Sequence, residues 1–350
     1  MTETLGVELP AGSPVSSFIH EHVEPRLDEF NTFEKVKTHG GLLREAARSK
    51  KLRSRAVGNS HVFLTQHTTV GGMGEIVTSL VSDLAFEMSQ SRSTTLSLMR
   101  DASLPVPRAH SFPRQDRVQA EQFARTLAGP MTLQRDFSRL LNAPLTALQS
   151  GASFSEAWSS AATRDDAFLF LTETPPGMTL RVFVVQEEAV SAIVCIPFYV
   201  VGDGRSTLHA LFEGRVSLRQ RHAFLAERVP YKNGVMYNNP GPDPSQEVLP
   251  SGDVRLFGRS VNPFHEGIPV DVTDLLSEDL KELAVNAAWA LPGLCTGAVD
   301  LLAPTLDSSE GAVVMGVDAN ARLELHTYPA LGNPRPVADA IMKTLLQRHQ

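Results

Sequence analysis

The segment that most constrains the fold is an apolar run near the end of the chain, which predicts two adjacent buried strands. The first strand, GAVDLL, spans 297–302 and contains one acid, Asp300. The second, GAVVMGVDANARLELHTYP, spans 311–329 and runs into a turn of small residues. Two strands that each bring an acid to one point commonly hold Mg²⁺, because this hard ion prefers carboxylate oxygens. The second strand has Gly316 where the partner acid is expected, and the next acid is Asp318.

The composition predicts a globular protein with sizeable apolar cores. Of the 350 residues, 42% are apolar and 20% are charged, which is enough for two or three structural units. No apolar run has the length needed to cross a bilayer, and the acidic N-terminal segment MTETLGVELP does not resemble a secretory signal. A net charge of −7 argues against binding to nucleic acid. We therefore expect a cytoplasmic protein with neither a membrane nor a nucleic-acid partner.

The spacing of apolar residues predicts three helices and an α+β chain. Helical spacing covers 275–291 and 336–346, and another helix over 93–102 ends at the proline-rich LPVP because proline has no amide hydrogen. The segment DVTD, 271–274, predicts an N-terminal cap for the helix at Leu275.

A glycine-rich segment in the first quarter of the chain predicts a strand, a turn and a helix. The segment is HVFLTQHTTVGGMGEI, 61–76, and the helix is expected to continue to Phe86. The sequence GGMG is more typical of a simple turn than of a phosphate-binding loop.

Three segments carry motifs that occur together, in this order, in one enzyme superfamily. LMRDASLPVPRAHSF, 98–112, is similar to the start of the lid domain in ATP-grasp ligases. IPFYVVGDGRSTLHALFEG, 196–214, closely resembles the VVGDG-x-STI-x-ELI stretch of cyanophycin synthetases and bifunctional glutathione synthetases. NPFHEGIPVDVTD, 262–274, resembles their N-L-S-x-G-G-x-x-x-D-V-T-D, with Glu266 in place of the first glycine. The resemblance to the ATP-grasp superfamily extends over 70–346.

The resemblance implies an α+β fold of the ATP-grasp type, divided into three parts. They are an N-terminal α/β region at 1–90, a small lid domain at 91–168 and a larger C-terminal mixed-sheet domain at 169–350. The resemblance also implies ATP-dependent ligation of a carboxylate to an amine, in which ATP first phosphorylates the carboxylate so that the amine expels phosphate. The implied substrate is a small molecule or peptide with a carboxylate, and a homodimer is common among such proteins.

The resemblance identifies candidate cofactor-binding residues, most of which differ from the family pattern. The family's lysine ahead of the lid corresponds to Arg92, its lid-strand lysine to Gln134 and its hinge acid to Thr172. Glu173 is the acid nearest to that hinge position, but neighbouring residues of a strand point to opposite faces. Arg92 keeps the positive charge without the compact geometry of an ammonium group. Arg92, Gln134 and Glu173 are therefore the candidates for contact with ATP.

The candidate metal ligands are Asp300 and Asp318. In the resemblance Asp300 is the first ligand, Gly316 takes the position of the metal-bridging glutamate, and Asp318 takes that of the following asparagine. Asp318 is able to supply a metal-binding oxygen, since the asparagine of the family already faces the ion. The pair would hold Mg²⁺ with one acid fewer than the family uses.

Four residues are candidate catalytic residues on the substrate side, namely Arg181, Arg259, Asn262 and His326. Arginine makes bidentate contacts with carboxylates and phosphates, so both arginines are candidates for binding an anionic substrate. His326 is expected either to contact the substrate or to position a residue that does. Structural roles stay open, because Asn262 is also a typical turn cap and Arg181 is able to pair with an acid.

The substitutions leave two hypotheses about function. The first is a biosynthetic ATP-grasp protein derived from a carboxylate–amine ligase, with an ATP and Mg²⁺ site altered or degenerate through Gln134, Thr172 and Gly316. The alternative is an ATP-independent enzyme, or a pseudo-ligase that binds a peptide or metabolite in the same cleft. Whether the chain is an enzyme stays open at the level of sequence.

Overall fold

The structure is a computed structural model that describes residues 7–127, 129–137, 146–148, 154–162, 168–226, 231–232, 235–236, 246–257 and 267–348. Helices and several antiparallel sheets alternate along these ranges, which confirms the predicted α+β class. No helix within these ranges is both long and apolar enough to span a membrane.

The described strands, in chain order, are β1 (Val7–Glu8), β2 (Arg53–Val57), β3 (Ser60–Leu64), β4 (Thr69–Met73), β5 (Ala109–Pro113), β6 (Met131–Arg135), β7 (Thr146–Leu148), β8 (Phe168–Glu173), β9 (Met178–Val185), β10 (Glu188–Ile196), β11 (Tyr199–Val201), β12 (Tyr231–Lys232), β13 (Val235–Met236), β14 (Val254–Leu256), β15 (Ile268–Asp271), β16 (Thr296–Ala303) and β17 (Val313–Asp318).

The described α-helices are α1 (Pro14–Phe18), α2 (His39–Ser49), α3 (Asp83–Ser89), α4 (Arg92–Asp101), α5 (Arg117–Ala124), α6 (Phe154–Ala161), α7 (Leu208–Gln220), α8 (Ala223–Ala226), α9 (Glu278–Trp289), α10 (Glu324–Thr327) and α11 (Val337–Gln347). A π-helical turn at Ile19–Val23 and 3₁₀ turns at Glu24–Glu29 and Arg114–Asp116 complete the helical segments.

The core of the molecule is a five-stranded sheet with the order β15-β10-β9-β16-β17. Every neighbouring pair of its strands is antiparallel, and one isolated parallel bridge joins Val270 to Leu331. Helices α9 and α11 pack against β9 and β10, while α4 packs against the edge strand β17. Both strands predicted from the apolar run near the end of the chain are therefore confirmed, as the neighbours β16 and β17.

The second sheet, which we call the lid sheet, has the order β5-β8-β6-β7 and its own small core. One face packs against helices α5 and α6 through apolar side chains that include Leu133, Leu171 and Trp158. Strand β8 begins at Phe168 and pairs with both β5 and β6. The predicted domain boundary at 168/169 would separate β8 from these partners, so we propose that the lid ends after Glu173.

The strand predicted at the start of the segment 61–76 is confirmed as β3, but the glycine-rich turn and a helix directly after it are wrong. The glycines of the segment belong to β4, which pairs with β3 so that Gly72 lies opposite Val62. A side chain at Gly72 would place Cβ 2.8 Å from the carbonyl oxygen of His61, so the glycine permits close approach of the two strands. The next helix, α3, begins only after Ser82, whose hydroxyl accepts the amide hydrogen of Ala85.

The three helices predicted from apolar spacing are confirmed as α4, α9 and α11, with ends shifted by up to three residues. The predicted cap of the helix at Leu275 is wrong, because α9 begins at Glu278 with Ser277 at its N-cap position. The DVTD segment has a different role, which is described with the site below.

The VVGDG motif forms a tight turn after β11. The Asp203 carboxylate accepts hydrogen bonds from the backbone amides of Arg205 and Ser206, at 2.8 and 2.7 Å. Gly204 has a φ of +72°, and a Cβ at Gly202 would lie 2.1 Å from the carbonyl oxygen of Pro250. Both glycines are therefore required by backbone geometry.

Candidate functional site

Arg181, Asp300 and Asp318 form a buried group on the five-stranded sheet, which we call the charge cluster. Arg181 on β9 lies directly opposite Asp300 on β16, so the two side chains share a face. Nη1 of Arg181 donates to both carboxylate oxygens of Asp300, at 2.9 and 3.0 Å, and its Nη2 donates to Oδ2 of Asp318. One guanidinium thus bridges both acids that the sequence proposes as metal ligands.

The open side of the charge cluster is at Asp300. Its side chain is 29% exposed, whereas those of Arg181 and Asp318 are each 8% exposed. Burial raises the pKa of the Asp300 carboxyl. The guanidinium of Arg181 opposes this rise, and the nearby charge of Asp318 adds to it. Burial alone would lower the pKa of Arg181, but the two acids outweigh it and raise that pKa, so Arg181 stays protonated.

These residues do not fit a conventional Mg²⁺ site. The second oxygen of Asp318, Oδ1, accepts the amide hydrogen of Asn320 at 2.9 Å, so both of its oxygens are already engaged. Gly316 lies opposite Asp300, and a Cβ built there would have no atom within 4 Å. Among the described residues, no group of three His, Cys, Asp or Glu side chains is arranged to hold a metal ion. The position of the missing acid is open space, and the remaining acids are neutralised by arginine.

Arg92 is the second cation at this site. It is the first residue of α4, and its Nε is buried without a hydrogen-bond partner among the described residues. Burial lowers the pKa of Arg92, while Asp300, Asp136 and Asp318 oppose that shift in this order. The structure therefore brings Arg92 within electrostatic range of both predicted metal ligands, which lie more than 200 positions away in the sequence.

The other face of the lid sheet contains two polar atoms without partners. Thr132 lies opposite Thr172 and Gln134 opposite Phe170, so all four side chains share the face away from the lid core. The atoms Oε1 of Gln134 and Oγ1 of Thr172 are buried, and neither has a hydrogen-bond partner in the described part of the chain. A buried polar atom without a partner lowers the stability of the folded protein by about 1–3 kcal/mol. A ligand that hydrogen-bonds to these atoms would therefore offset that loss.

Glu173, the third candidate for ATP contact, is one residue further along β8. Strand alternation places its side chain on the face opposite that of Thr172, while its backbone amide donates to the carbonyl oxygen of Arg108 at 2.9 Å. The structure thus places Arg92 beside the charge cluster. It leaves one polar atom each of Gln134 and Thr172 unpaired on the face of the lid sheet away from its core, whereas Glu173 lies on the other face.

Asp136 is a site residue that the sequence did not reveal. Its buried carboxylate accepts hydrogen bonds from the backbone amide and hydroxyl of Ser93, at 2.8 and 2.5 Å, and from the Ser111 hydroxyl at 2.7 Å. These bonds join the end of β6 to the first turn of α4, where Arg92 lies. No sequence pattern identifies this contact, because the two serines are distant in sequence and serine is a common surface residue.

His326 lies in the core and not on the surface of the cleft. Its Nδ1 is 2.8 Å from the Ser191 hydroxyl, the ring of Phe183 packs edge-on at 5.3 Å, and its Nε2 has no described partner. Burial, with the charge of Arg181 as a smaller cause, lowers the pKa of His326 to about 3. The hydrogen bond to Ser191 of β10 and the contact with Phe183 of β9 pack this neutral, fully buried imidazole against the sheet. The two roles expected for it at a substrate stay predictions.

Arg259 and Asn262, the other two candidate catalytic residues, fall within 258–266. They lie outside the described residues, and their roles stay predictions.

The DVTD segment is a structural link between two distant parts of the chain. Arg335 donates from Nε and Nη2 to the two carboxylate oxygens of Asp271, at 2.9 and 2.6 Å, and also contacts Asp274. The hydrogen bonds that Arg335 donates to Asp271 are the main cause that raises the pKa of Arg335. The motif thus holds the segment that follows α10 against β15.

The chain is similar in sequence to curated glutathione biosynthesis bifunctional proteins. No protein-family model matches the chain. The chain is 24% identical over 269 residues to the glutathione biosynthesis bifunctional protein of Enterococcus faecalis, covering 73% of this chain and 35% of the relative. It is 26% identical over 277 residues to the protein of the same name from Streptococcus mutans, covering 72% and 34% respectively. The chain thus matches about a third of the length of these curated relatives.

A solved structure shows the same fold. The crystal structure of a bifunctional glutathione synthetase from Pasteurella multocida superposes with a TM-score of 0.60 at 17% sequence identity, covering 89% of this chain and 44% of that one. The architecture and the sequence matches agree with the three motifs identified above. The chain therefore has an ATP-grasp fold, and it resembles the ATP-grasp region of bifunctional glutathione synthetases.

Proposed function

We propose that this protein derives from an ATP-dependent carboxylate–amine ligase of the biosynthetic type and has a degenerate ATP and Mg²⁺ site. The observation that supports the proposal best is the charge cluster, in which Arg181 hydrogen-bonds both Asp300 and Asp318 while Gly316 leaves the place of a third acid open. Substitution of the two family lysines by Arg92 and Gln134 agrees with it.

Helix α4 packs against both β5 and β17, so Arg92 at its start lies where the lid sheet approaches the five-stranded sheet. The side chain of Arg92 is positively charged, and its Nε is buried and short of a hydrogen-bond acceptor among the described residues. A carboxylate placed there would accept from Arg92, while Gln134 and Thr172 would orient neighbouring polar groups of the same ligand. We therefore propose that the ligand is a small molecule or peptide with a carboxylate.

A pseudo-ligase that binds such a ligand without chemistry is the second candidate. It is favoured by the lack of a third acid near Asp300 and Asp318 in the described ranges. The ligase-derived protein and the pseudo-ligase share the cleft and differ only in turnover.

Calorimetric and thermal titration with ATP, with and without Mg²⁺, tests the proposal. We expect no Mg²⁺-dependent stabilisation of the unmodified protein, whereas a conventional site would give about 2.7 kcal/mol at a ligand concentration of a hundred times Kd. Mg²⁺-dependent binding of ATP, with phosphate release that is abolished by Asp300→Asn, would contradict a degenerate site.

The variant Gly316→Glu provides a gain-of-function arm, because the strand register places this side chain on the face of Asp300. We expect it to introduce Mg²⁺-dependent ATP binding, with Gly316→Gln as the control of equal size and no charge. Phosphate release in the presence of amino acids then separates the ligase-derived protein from the pseudo-ligase.

The cytoplasmic location and a homodimer also stay proposals. Light scattering on the purified chain tests the second of these.

A further inference from the structure

A second polar pocket lies at the start of helix α2, and we call it the α2 pocket. It has a volume of about 360 Å³ and is formed by the first turn of α2, the β3–β4 meander and the start of α10. Pockets of this size bind small metabolites. None of its lining residues is among the candidates of the cleft described above.

Glu324 provides a buried acceptor in this pocket. Its residue is 5% exposed, and Oε1 accepts the backbone amide hydrogen of His39 at 2.9 Å. Nη1 of Arg322 is 3.7 Å from the same oxygen. The other oxygen, Oε2, is buried and has no hydrogen-bond partner among the described residues. A carboxylate oxygen in this condition requires a donor, and a charged donor satisfies it best.

His39 provides a buried donor beside it. The residue is 4% exposed, and its Nδ1 accepts the amide hydrogen of Leu323 at 3.3 Å, which assigns the ring proton to Nε2. That Nε2 forms no hydrogen bond of good geometry in the described ranges, although the backbone of Ile76 lies near enough to the ring to oppose the effect of burial on its pKa. Burial lowers the pKa of His39 to about 4, so the ring is neutral at physiological pH and donates through Nε2.

Arg44 adds a positive charge at the same end of the helix. A Cβ at Gly40 would lie 3.1 Å from Nη1 of Arg44 and 2.7 Å from Cε of Met73, so the glycine allows the guanidinium to lie against the first turn. A cation at a helix N-terminus is unfavourable by itself, because that end already carries a partial positive charge. A bound anion would be attracted both by Arg44 and by the helix.

We propose that the α2 pocket binds a zwitterionic ligand, a free amino acid or short peptide, with its ammonium group on Oε2 of Glu324 and its carboxylate between Arg44 and Nε2 of His39. An ammonium group supplies the donor that Glu324 lacks, and a carboxylate supplies the acceptor that His39 lacks. A metal ion is a poorer occupant, since no group of three metal-binding side chains is assembled within the described residues. This site uses no residue of the cleft, so the proposal is independent of the proposed function.

The test is calorimetry on the full chain with the proteinogenic amino acids and glycylglycine at millimolar concentration. At least one is expected to bind, and its N-acetyl and carboxamide derivatives are expected to bind at least about tenfold more weakly, because each loses one charged hydrogen bond. Glu324→Gln keeps the acceptor for His39 and removes the charge, and Arg44→Gln removes the cation. Each variant is expected to weaken binding of the unblocked ligand by about tenfold or more.

The controls are the exposed substitutions Glu310→Gln and Arg53→Gln, together with Asp300→Asn in the cleft, and all three should bind as the unmodified protein does. Circular dichroism verifies folding, and if Glu324→Gln is unfolded, the half-exposed Arg44→Gln decides alone. The proposal is overturned if no compound of the panel binds, or if binding survives both pocket substitutions. Equal binding of inorganic phosphate that Glu324→Gln leaves unchanged would also overturn it, because it would show an anion site only.

Discussion

The charge cluster and the α2 pocket both bury acidic side chains, but they differ in whether the carboxylate oxygens have hydrogen-bond partners. In the charge cluster, Arg181 satisfies the two acids that face it. In the α2 pocket, Glu324 and His39 each keep one buried polar atom without a partner. Acids that are already paired with an arginine resist a new cation, whereas unsatisfied buried atoms indicate a place where a ligand would be stabilised. The acids at the position that the family uses for a metal are therefore less open to a cation than Glu324 is. The contrast concerns the acids alone, because Nε of Arg181 is also buried without a hydrogen-bond partner among the described residues.

The largest loss of stability is expected when the charge cluster loses its cation, Arg181. Arg181→Ala leaves Asp318 buried and Asp300 partly buried, with Arg92 as the remaining cation, and breaking a buried pair typically costs about 3–5 kcal/mol of unfolding free energy. Chemical denaturation measures the loss, with Arg53→Ala on an exposed strand as the control. A loss below about 1 kcal/mol, the value usual for exposed ion pairs, would show that the cluster is well hydrated.

The pH dependence of stability tests whether His326, in the core beside the charge cluster, stays neutral in the folded protein. The pKa of His326 is about 3 in the folded protein and 6.5 as its ordinary value, so the unfolded state binds more protons between these limits. Stability is therefore complete above pH 6.5 and falls as the pH falls, by about 2 kcal/mol for this residue between pH 7 and pH 5.

Denaturation of His326→Gln at both pH values isolates this contribution, because His39 and His222 also have pKa values lowered to about 4 and add to the total. The variant should lose less stability on acidification than the unmodified protein. An equal loss in both proteins would mean that His326 does not titrate as its burial requires.

A smaller effect is expected when the unsatisfied acid of the α2 pocket is neutralised. Glu324→Gln keeps the hydrogen bond to the amide of His39 and removes a buried charge, so unfolding free energy should change by about 1 kcal/mol or less in either direction. Measured beside Arg181→Ala, it compares the neutralisation of an acid whose ion pair with Nη1 of Arg322 is 3.7 Å long with the loss of a hydrogen-bonded pair. A loss as large as that of Arg181→Ala would show that Glu324 is structurally paired after all.

The smallest effect is expected at the open side of the charge cluster. Gly316→Ala meets no atom and should leave stability within about 0.5 kcal/mol, or raise it slightly through the unfolded state. Gly202→Ala is the matched comparison, since its Cβ would lie 2.1 Å from a carbonyl oxygen and should destabilise clearly. Thermal melting of both variants shows whether the space beside Asp300 is as open as its geometry indicates.

Much of the architecture could be predicted because apolar periodicity is local information. The strands that contain Asp300 and Gly316 and the helices α4, α9 and α11 follow from it, and the three motifs identified the fold. The strand at the start of 61–76 was predicted correctly, but the turn after it was mispredicted, because its glycines look like a turn until the pairing of β4 with β3 shows why they are needed. The cap at Leu275 failed for a similar reason, since Asp271 bonds to Arg335 more than 60 positions away.

The sequence by itself determined the fold family and named the acids and cations of the cleft, because these depend on residue type and order. Only the tertiary structure decided what those residues do to one another. Strand register places Arg181 against Asp300, and the packing of α10 beside α2 leaves Glu324 and His39 half satisfied. Pairing and burial depend on contacts between residues that are far apart in the chain, and the free energy of a buried charge depends on those contacts.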